Sequence, residues 1–144
     1  MKEDLIHLWM ANGFISTMEN LEVEDVGSMV WNELCQKSFF QDIKMDVDSK
    51  DISFKMHDLV HDLAQFVTGP ECMILENTNT DLSRSTYHIS FRYPTLLSNN
   101  EGAFKKIESL RTLYAIKSYD CCSYDSSRFP KNSSLRVLFI DCSM

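Results

Sequence analysis

His57-Asp58-x-x-His61 sets two imidazoles four residues apart with a carboxylate between them. On a helix that spacing turns both rings to one face, the arrangement that holds zinc in H-E-x-x-H metalloproteases. The match fails at two points. Asp58 stands where the general-base Glu belongs, and no third ligand follows at a characteristic distance, His88 being the only later histidine. Asp46-x-Asp48-x-Lys50 resembles the opening of a calcium loop. There Lys50 replaces an oxygen ligand, Asp51 replaces the glycine of the sharp turn and His57 replaces the closing Glu. That segment reads as a polar turn. No G-x-x-x-x-G-K-[ST] loop, nucleophile elbow or complete triad pattern occurs, so nucleotide hydrolysis by the chain unaided is not expected and it is not read as an enzyme. The five cysteines, at 35, 72, 121, 122 and 142, form no C-x-x-C pair and indicate neither a disulfide framework nor structural zinc. Cys35, Cys72 and Cys142 lie among apolar residues and are expected to be small buried hydrophobes, and Cys121-Cys122 an exposed reduced pair.

What positions His57 is a junction. Ile52, Phe54 and Met56 alternate with Ser53 and Lys55, the period of a half-buried strand. Immediately after it, Leu59, Leu63, Phe66 and Val67 form one apolar stripe at helical spacing. Asp58, between the two patterns, is expected to be the helix N-cap, accepting from first-turn N–H groups and complementing the helix dipole. His57 is thereby presented at a helix N-terminus, where backbone donors suit an anion such as a phosphate. Taken on its own residues, His57 reads first as a structural histidine satisfied by a backbone carbonyl.

The rest of the chain supplies the frame. Leu5, Ile6, Leu8, Trp9 and Met10, stopped by Asn12-Gly13, predict a helix over 3–11. It opens so abruptly that the chain is expected to be a piece of something longer. A second helix is predicted over 21–37, with Val26, Met29, Val30 and Leu34 toward a core. Segments 38–45 and 52–56 read as a hairpin with a polar tip. The order helix, helix, hairpin, helix is compatible with a winged helix, the hairpin being the wing. Past Thr68-Gly69-Pro70 come an apolar run, Cys72–Leu75, and a strand pattern at Tyr87, Ile89, Phe91 and Tyr93. Ser109-Leu110-Arg111-Thr112-Leu113 then recurs 25 residues later as Ser134-Leu135-Arg136-Val137-Leu138, within leucine-rich-repeat spacing. Ile107, Leu110, Leu113 and Ala115 fill the apolar positions of the first copy and Leu135, Leu138 and Ile140 those of the second, which Asn132 breaks. Two units cannot bury a solenoid core, so a longer array is expected. The fold class is α+β: a winged-helix subdomain over 1–70, then a linker strand and N-terminal leucine-rich repeats over 71–144.

Composition is that of a globular protein, 44% hydrophobic and 24% charged, and therefore able to bury a core. A net charge of −7 with no basic run disfavours direct nucleic-acid binding. The alternative reading, a winged-helix DNA-binding regulator, also lacks a basic recognition helix, since 21–37 carries Glu22, Glu24, Asp25 and Glu33 against Lys37. No apolar run reaches the length of a membrane span and the amino terminus is unlike a signal peptide, so a cytoplasmic location is expected.

Four segments taken together are specific. Leu5-Ile6-His7-Leu8-Trp9-Met10-Ala11-Asn12-Gly13-Phe14-Ile15, Glu24-Asp25-Val26-Gly27, Lys37-Ser38-Phe39-Phe40-Gln41 and Met56-His57-Asp58-Leu59-Val60-His61-Asp62-Leu63-Ala64 resemble the carboxy-terminal NB-ARC region of plant intracellular immune receptors, in the coiled-coil nucleotide-binding leucine-rich-repeat class. Tyr87-His88-Ile89-Ser90 and the two Leu-Arg segments resemble that family's entry into its repeats. The resemblance implies a regulatory switch that closes over ADP and opens with ATP, with Met56, His57 and Asp58 as the sensor motif. His57 is implied to reach the β-phosphate and Asp58 to orient it, while His61 has no such role. The implied partners are the remaining NB-ARC subdomains and leucine-rich repeats of a parent receptor, with a pathogen effector or guarded host protein beyond them. The phosphate loop and the magnesium-binding aspartate strand are absent from this sequence, so the chain alone is not expected to bind nucleotide.

Overall fold

In a computed structural model of the chain, the residues described are 1–77, 80, 82–93, 95–104, 107–115 and 133–140, in two units, Met1–Val67 and Thr68–Met144. Cys121, Cys122, Asn132 and Cys142, and the side chain of Ile140, lie outside them.

The first unit begins with α1 (Lys2–Asn12), which ends where the sequence places its stop. Gly13 is left-handed at φ 75°, and its N–H donates to Met10 O at 3.0 Å while Phe14 N donates to Trp9 O at 2.9 Å, using carbonyls the last turn leaves open. α2 (Val23–Gln36) packs on α1 through Gly27, where an added Cβ would lie 2.5 Å from Ile6 Cγ2. This close approach turns the face containing Val26, Gly27 and Trp31 inward and leaves Met29, expected in the core, 56% exposed. β1 (Phe40–Met45) and β2 (Ile52–Met56) pair antiparallel as the expected hairpin. Between Gln41 and Lys44 the register slips, with Asp42 at φ 52°. At the tip Asp46 Oδ1 accepts from Asp48 N (3.0 Å) and Ser49 N (2.9 Å), so the calcium-like aspartate is an Asx turn whose backbone donors hold its carboxyl below the usual range. Trp31 stacks on Phe40 at 4.6 Å and both meet Phe54 edge-on at 4.7 Å, an aromatic triangle that fixes the hairpin to α2.

From β2 the chain passes through His57 into α3 (Asp58–Thr68). Its apolar stripe forms as the spacing predicts, but no residue of α3 is buried: Leu59, Leu63, Phe66 and Val67 are 74%, 62%, 85% and 72% exposed.

The second unit is an all-parallel sheet of β3 (Cys72–Leu75), β4 (His88–Phe91), β5 (Thr112–Ala115) and β6 (Val137–Ile140), in sequence order and in continuous register. Equivalent positions are 24 residues apart from His88 to Thr112 and 25 from Thr112 to Val137. The expected linker strand is part of this ladder, since β3 and β4 stack beneath the two repeat copies. Alternation sends Leu75, Ile89, Phe91, Leu113 and Ala115 into one core, closed by Leu82, Ile107 and Leu110 and by Leu96 and Phe104 from the short helices α4 (Thr95–Asn99) and α5 (Glu101–Phe104). Leu138, on the outermost described strand, is 45% exposed. The same alternation puts Cys72 on the opposite face, exposed and not buried as expected, while Cys35 in α2 is half-buried. Buried Asn100 is satisfied at both ends, its Nδ2 donating to Leu96 O (2.8 Å) and its Oδ1 accepting from Thr80 N (3.2 Å).

Two tests follow from this packing. Gly27→Ala should destabilise the chain by about 1–3 kcal/mol, because the methyl must displace Ile6; a melt unchanged within error contradicts the α1–α2 contact. On the outer face of the sheet, burial and then the Arg111 charge hold His88 below its ordinary 6.5, against a smaller opposing effect of Glu71. Because the unfolded chain then binds the extra proton, this contribution is complete above the unfolded pKa and is lost as pH falls through the lower folded one. Urea melts should therefore show stability decreasing from pH 7 to 5, with a shallower decrease in His88→Gln.

Candidate functional site

The junction turns on one residue. His57 N donates to Phe39 O at 2.8 Å, which ties the end of β2 to the residue before β1, and His57 O accepts from His61 N at 2.9 Å, the first bond of α3. One peptide unit later, Leu59 N donates to His57 Nδ1 at 3.3 Å. A residue whose carbonyl accepts the first intrahelical bond and whose side chain accepts from the second helical residue is the N-cap. His57, and not Asp58, fills that position. Asp58 lies one step inside the helix, where its charge still suits the dipole, and its Oδ1 accepts instead from Gln41 Nε2 on β1, a long 3.4 Å bond at an exposed position. The reason is geometric: β2 runs straight to Met56, so the single residue before the helix is His57. His57 is thus satisfied by a backbone amide and not by the carbonyl expected of a structural histidine.

This cap has a chemical consequence. Nδ1 accepts a hydrogen bond, so the neutral ring carries its proton on Nε2. Among the described residues Nε2 has no hydrogen-bond partner, and the half-buried ring offers one N–H donor beside a helix N-terminus. A donor there fits an anionic oxygen. Met56, paired with Phe40 at the end of the hairpin, is exposed and contributes no polar atom. His61 is exposed, its Nδ1 3.6 Å from Asp62 Oδ1. Among the described residues no three His, Cys, Asp or Glu side chains come close enough to share a metal ion. Met56, His57 and Asp58 follow one another across the junction, whereas the roles of Phe39 O and Gln41 were not visible in the sequence. Cross-strand register alone could have pointed to them.

Residues 1–64 match the disease resistance protein winged helix domain. Over 115 residues, 78% of the chain, the sequence is 44% identical to the disease resistance protein RGA4 of Solanum bulbocastanum, covering 11% of that relative. It is 59% identical over 63 residues to RGA2 of the same plant, covering 44% of the chain and 6% of the relative. It is 30% identical over 97 residues to the Arabidopsis thaliana disease resistance protein RPP13, covering 62% of the chain and 12% of the relative. The chain is a homologue of plant disease resistance proteins, and it spans about a tenth of the length of the relatives it matches.

If His57 caps α3, His57→Asn, a good cap, should keep stability within about 0.5 kcal/mol, whereas His57→Ala should lose roughly 0.5–2 kcal/mol. His61→Ala, at an exposed site, should change stability by no more than about 0.5 kcal/mol. Equal losses for Asn and Ala at position 57, read from chemical melts, rule out the cap.

Proposed function

We propose that the chain is part of a plant immune receptor's nucleotide-state switch, in which His57 donates from Nε2 to the β-phosphate of ADP and so favours the closed, resting arrangement. The observation that carries this is the cap: the bond from Leu59 N to Nδ1 that caps α3 also fixes the proton of the neutral ring on the outward nitrogen. When bound, ADP supplies the anionic phosphate oxygens. Everything else in the contact belongs to this chain, with Phe39 O holding the His57 backbone and Gln41 holding Asp58. Asp58 acts through its charge at the first turn and Met56 through its place at the end of β2. The role in this reading is regulatory and not enzymatic, and its setting the cytoplasm. No helix among the described residues is long and apolar enough to cross a membrane.

The parallel ladder with its 24- and 25-residue spacing supports reading the second unit as the opening of a leucine-rich-repeat solenoid. The exposed stripe on α3 supports the other partner assignment, because four large apolar side chains on one helix face are what a neighbouring NB-ARC subdomain would cover. A pathogen effector or a guarded host protein would act on the assembled receptor. The DNA-binding alternative gains nothing from α2, whose first turn holds Glu24 and Asp25 and whose last turn holds no basic residue.

The test uses the substitutions that separate capping from phosphate contact, now in a full-length receptor carrying this segment. Both His57→Asn and His57→Ala remove the Nε2 donor, so both should release ADP about tenfold or more faster, the weight of one hydrogen bond to a charged group, and both should trigger cell death in leaf tissue without pathogen. Signalling by the Ala variant alone assigns the effect to the helix cap and defeats the sensor reading. Calorimetry on the 144-residue chain itself should show no micromolar affinity for ADP, since a single donor cannot offset the cost of association.

A further inference from the structure

We infer that α3 is a conditionally ordered helix, which opens by itself while the rest of the first unit stays folded and which sets the donor of His57 only when it is closed. α1 buries Ile6 and α2 buries Val26, Gly27 and Trp31, whereas α3 buries nothing, and its four large apolar side chains are 62 to 85% exposed. An 11-residue helix without a buried face must hold together on its own hydrogen bonds, and isolated helices of that length are marginal in water. Composition does not make up the difference. Val60, His61, Asp62, Phe66, Val67 and Thr68 are all weaker helix formers than Ala, Leu or Gln. The last turn holds no basic residue to meet the negative end of the dipole. What favours the helix lies at its start, where Asp58 complements the dipole and His57 Nδ1 accepts from Leu59 N over a long 3.3 Å.

The rest of the unit does not need α3. The pairing of β1 with β2, the aromatic triangle of Trp31, Phe40 and Phe54 and the close approach of Gly27 to Ile6 include no α3 side chain. The bond from His57 N to Phe39 O likewise belongs to the hairpin and survives opening. Two bonds do not survive it. Leu59 N leaves Nδ1, so the neutral ring is no longer held with its proton on Nε2, and Asp58 Oδ1 leaves Gln41 Nε2. Opening therefore removes the pre-set donor and the hold on Asp58 in one step, a switch of the order-to-disorder kind. This deepens the switch reading, on which its regulatory half rests: whatever engages Nε2 or covers the stripe binds the closed form better and draws α3 toward it.

The experiment is amide hydrogen exchange read by nuclear magnetic resonance on the 144-residue chain, together with the nitrogen shifts of the His57 ring kept neutral. The amides from Leu63 to Val67 should be protected no more than about tenfold over an unstructured chain, with little dependence on urea, while those from Val26 to Trp31 follow global unfolding. Gly27→Ala should lower protection in α2 and leave α3 unchanged. Gln65→Gly, at an exposed position on α3 away from the ring, should lower α3 protection about fivefold and move the His57 shifts from the Nε2–H pattern toward a mixture of tautomers. His57→Asn should keep α3 protection and His57→Ala should lower it. Exchange in α3 that matches α2 in rate and urea dependence, or that changes with it in Gly27→Ala, overturns the inference, as does a His57 ring that ignores Gln65→Gly. None of these results bears on ADP release by the receptor, which tests the sensor reading separately.

Discussion

A single residue with both backbone polar groups committed in opposite directions determines the first unit. His57 N closes the hairpin on Phe39 O, and His57 O opens α3 through His61 N. With no loop between strand and helix, the direction in which α3 leaves the hairpin is set by two hydrogen bonds and one left-over dihedral pair, not by packing, since α3 buries none of its residues. Helices as short as this one, 11 residues, are marginal without tertiary contacts, so the cap supplied by Nδ1 carries more weight here than it would on a buried helix.

The core of that unit explains why so much falls to the junction. Its buried apolar residues are Ile6, Val26, Trp31 and Phe40, a small set for 67 residues, and the aromatic triangle does most of the gathering. Small domains bury a small fraction of their chain and tolerate few losses. The second unit has the opposite economy: ten of its described residues form one continuous cluster, five of them turned to the same side by the alternation of the parallel strands.

Features written in local chemistry were readable from the sequence. Gly13 stops α1, Asp46 makes the hairpin tip, and Ile107, Leu110, Leu113 and Ala115 point inward as their spacing requires. What was not readable depends on partners distant in sequence. Met29 has the right period for a core position, but Gly27 lets Ile6 approach so closely that a neighbouring face wins. Cys72 sits in an apolar run, yet pairing with His88 and not local hydropathy decides its face. Asp58 has the better cap chemistry, but β2 ends one residue too early for it to serve. The stripe on α3 shows the same limit in reverse, for periodicity reports which residues share a face and says nothing about whether the chain covers it.

The two histidine nitrogens link stability to recognition in a way that neither Asp nor Ser at the same position could. A carboxylate cap is only an acceptor, and an anion arriving beside it meets a like charge; a hydroxyl cap turns its proton wherever the local field requires. An imidazole that accepts at Nδ1 must donate at Nε2, on the far side of a rigid ring. The helix start and the outward donor are therefore two ends of one group. In the proposed switch, an anion that draws on Nε2–H makes Nδ1 a better acceptor for Leu59 N, so the ligand strengthens the cap and, by reciprocity, a well-formed cap strengthens the ligand contact. Loss of the phosphate then weakens the first turn of a helix that has no buried side chain of its own to keep it in place.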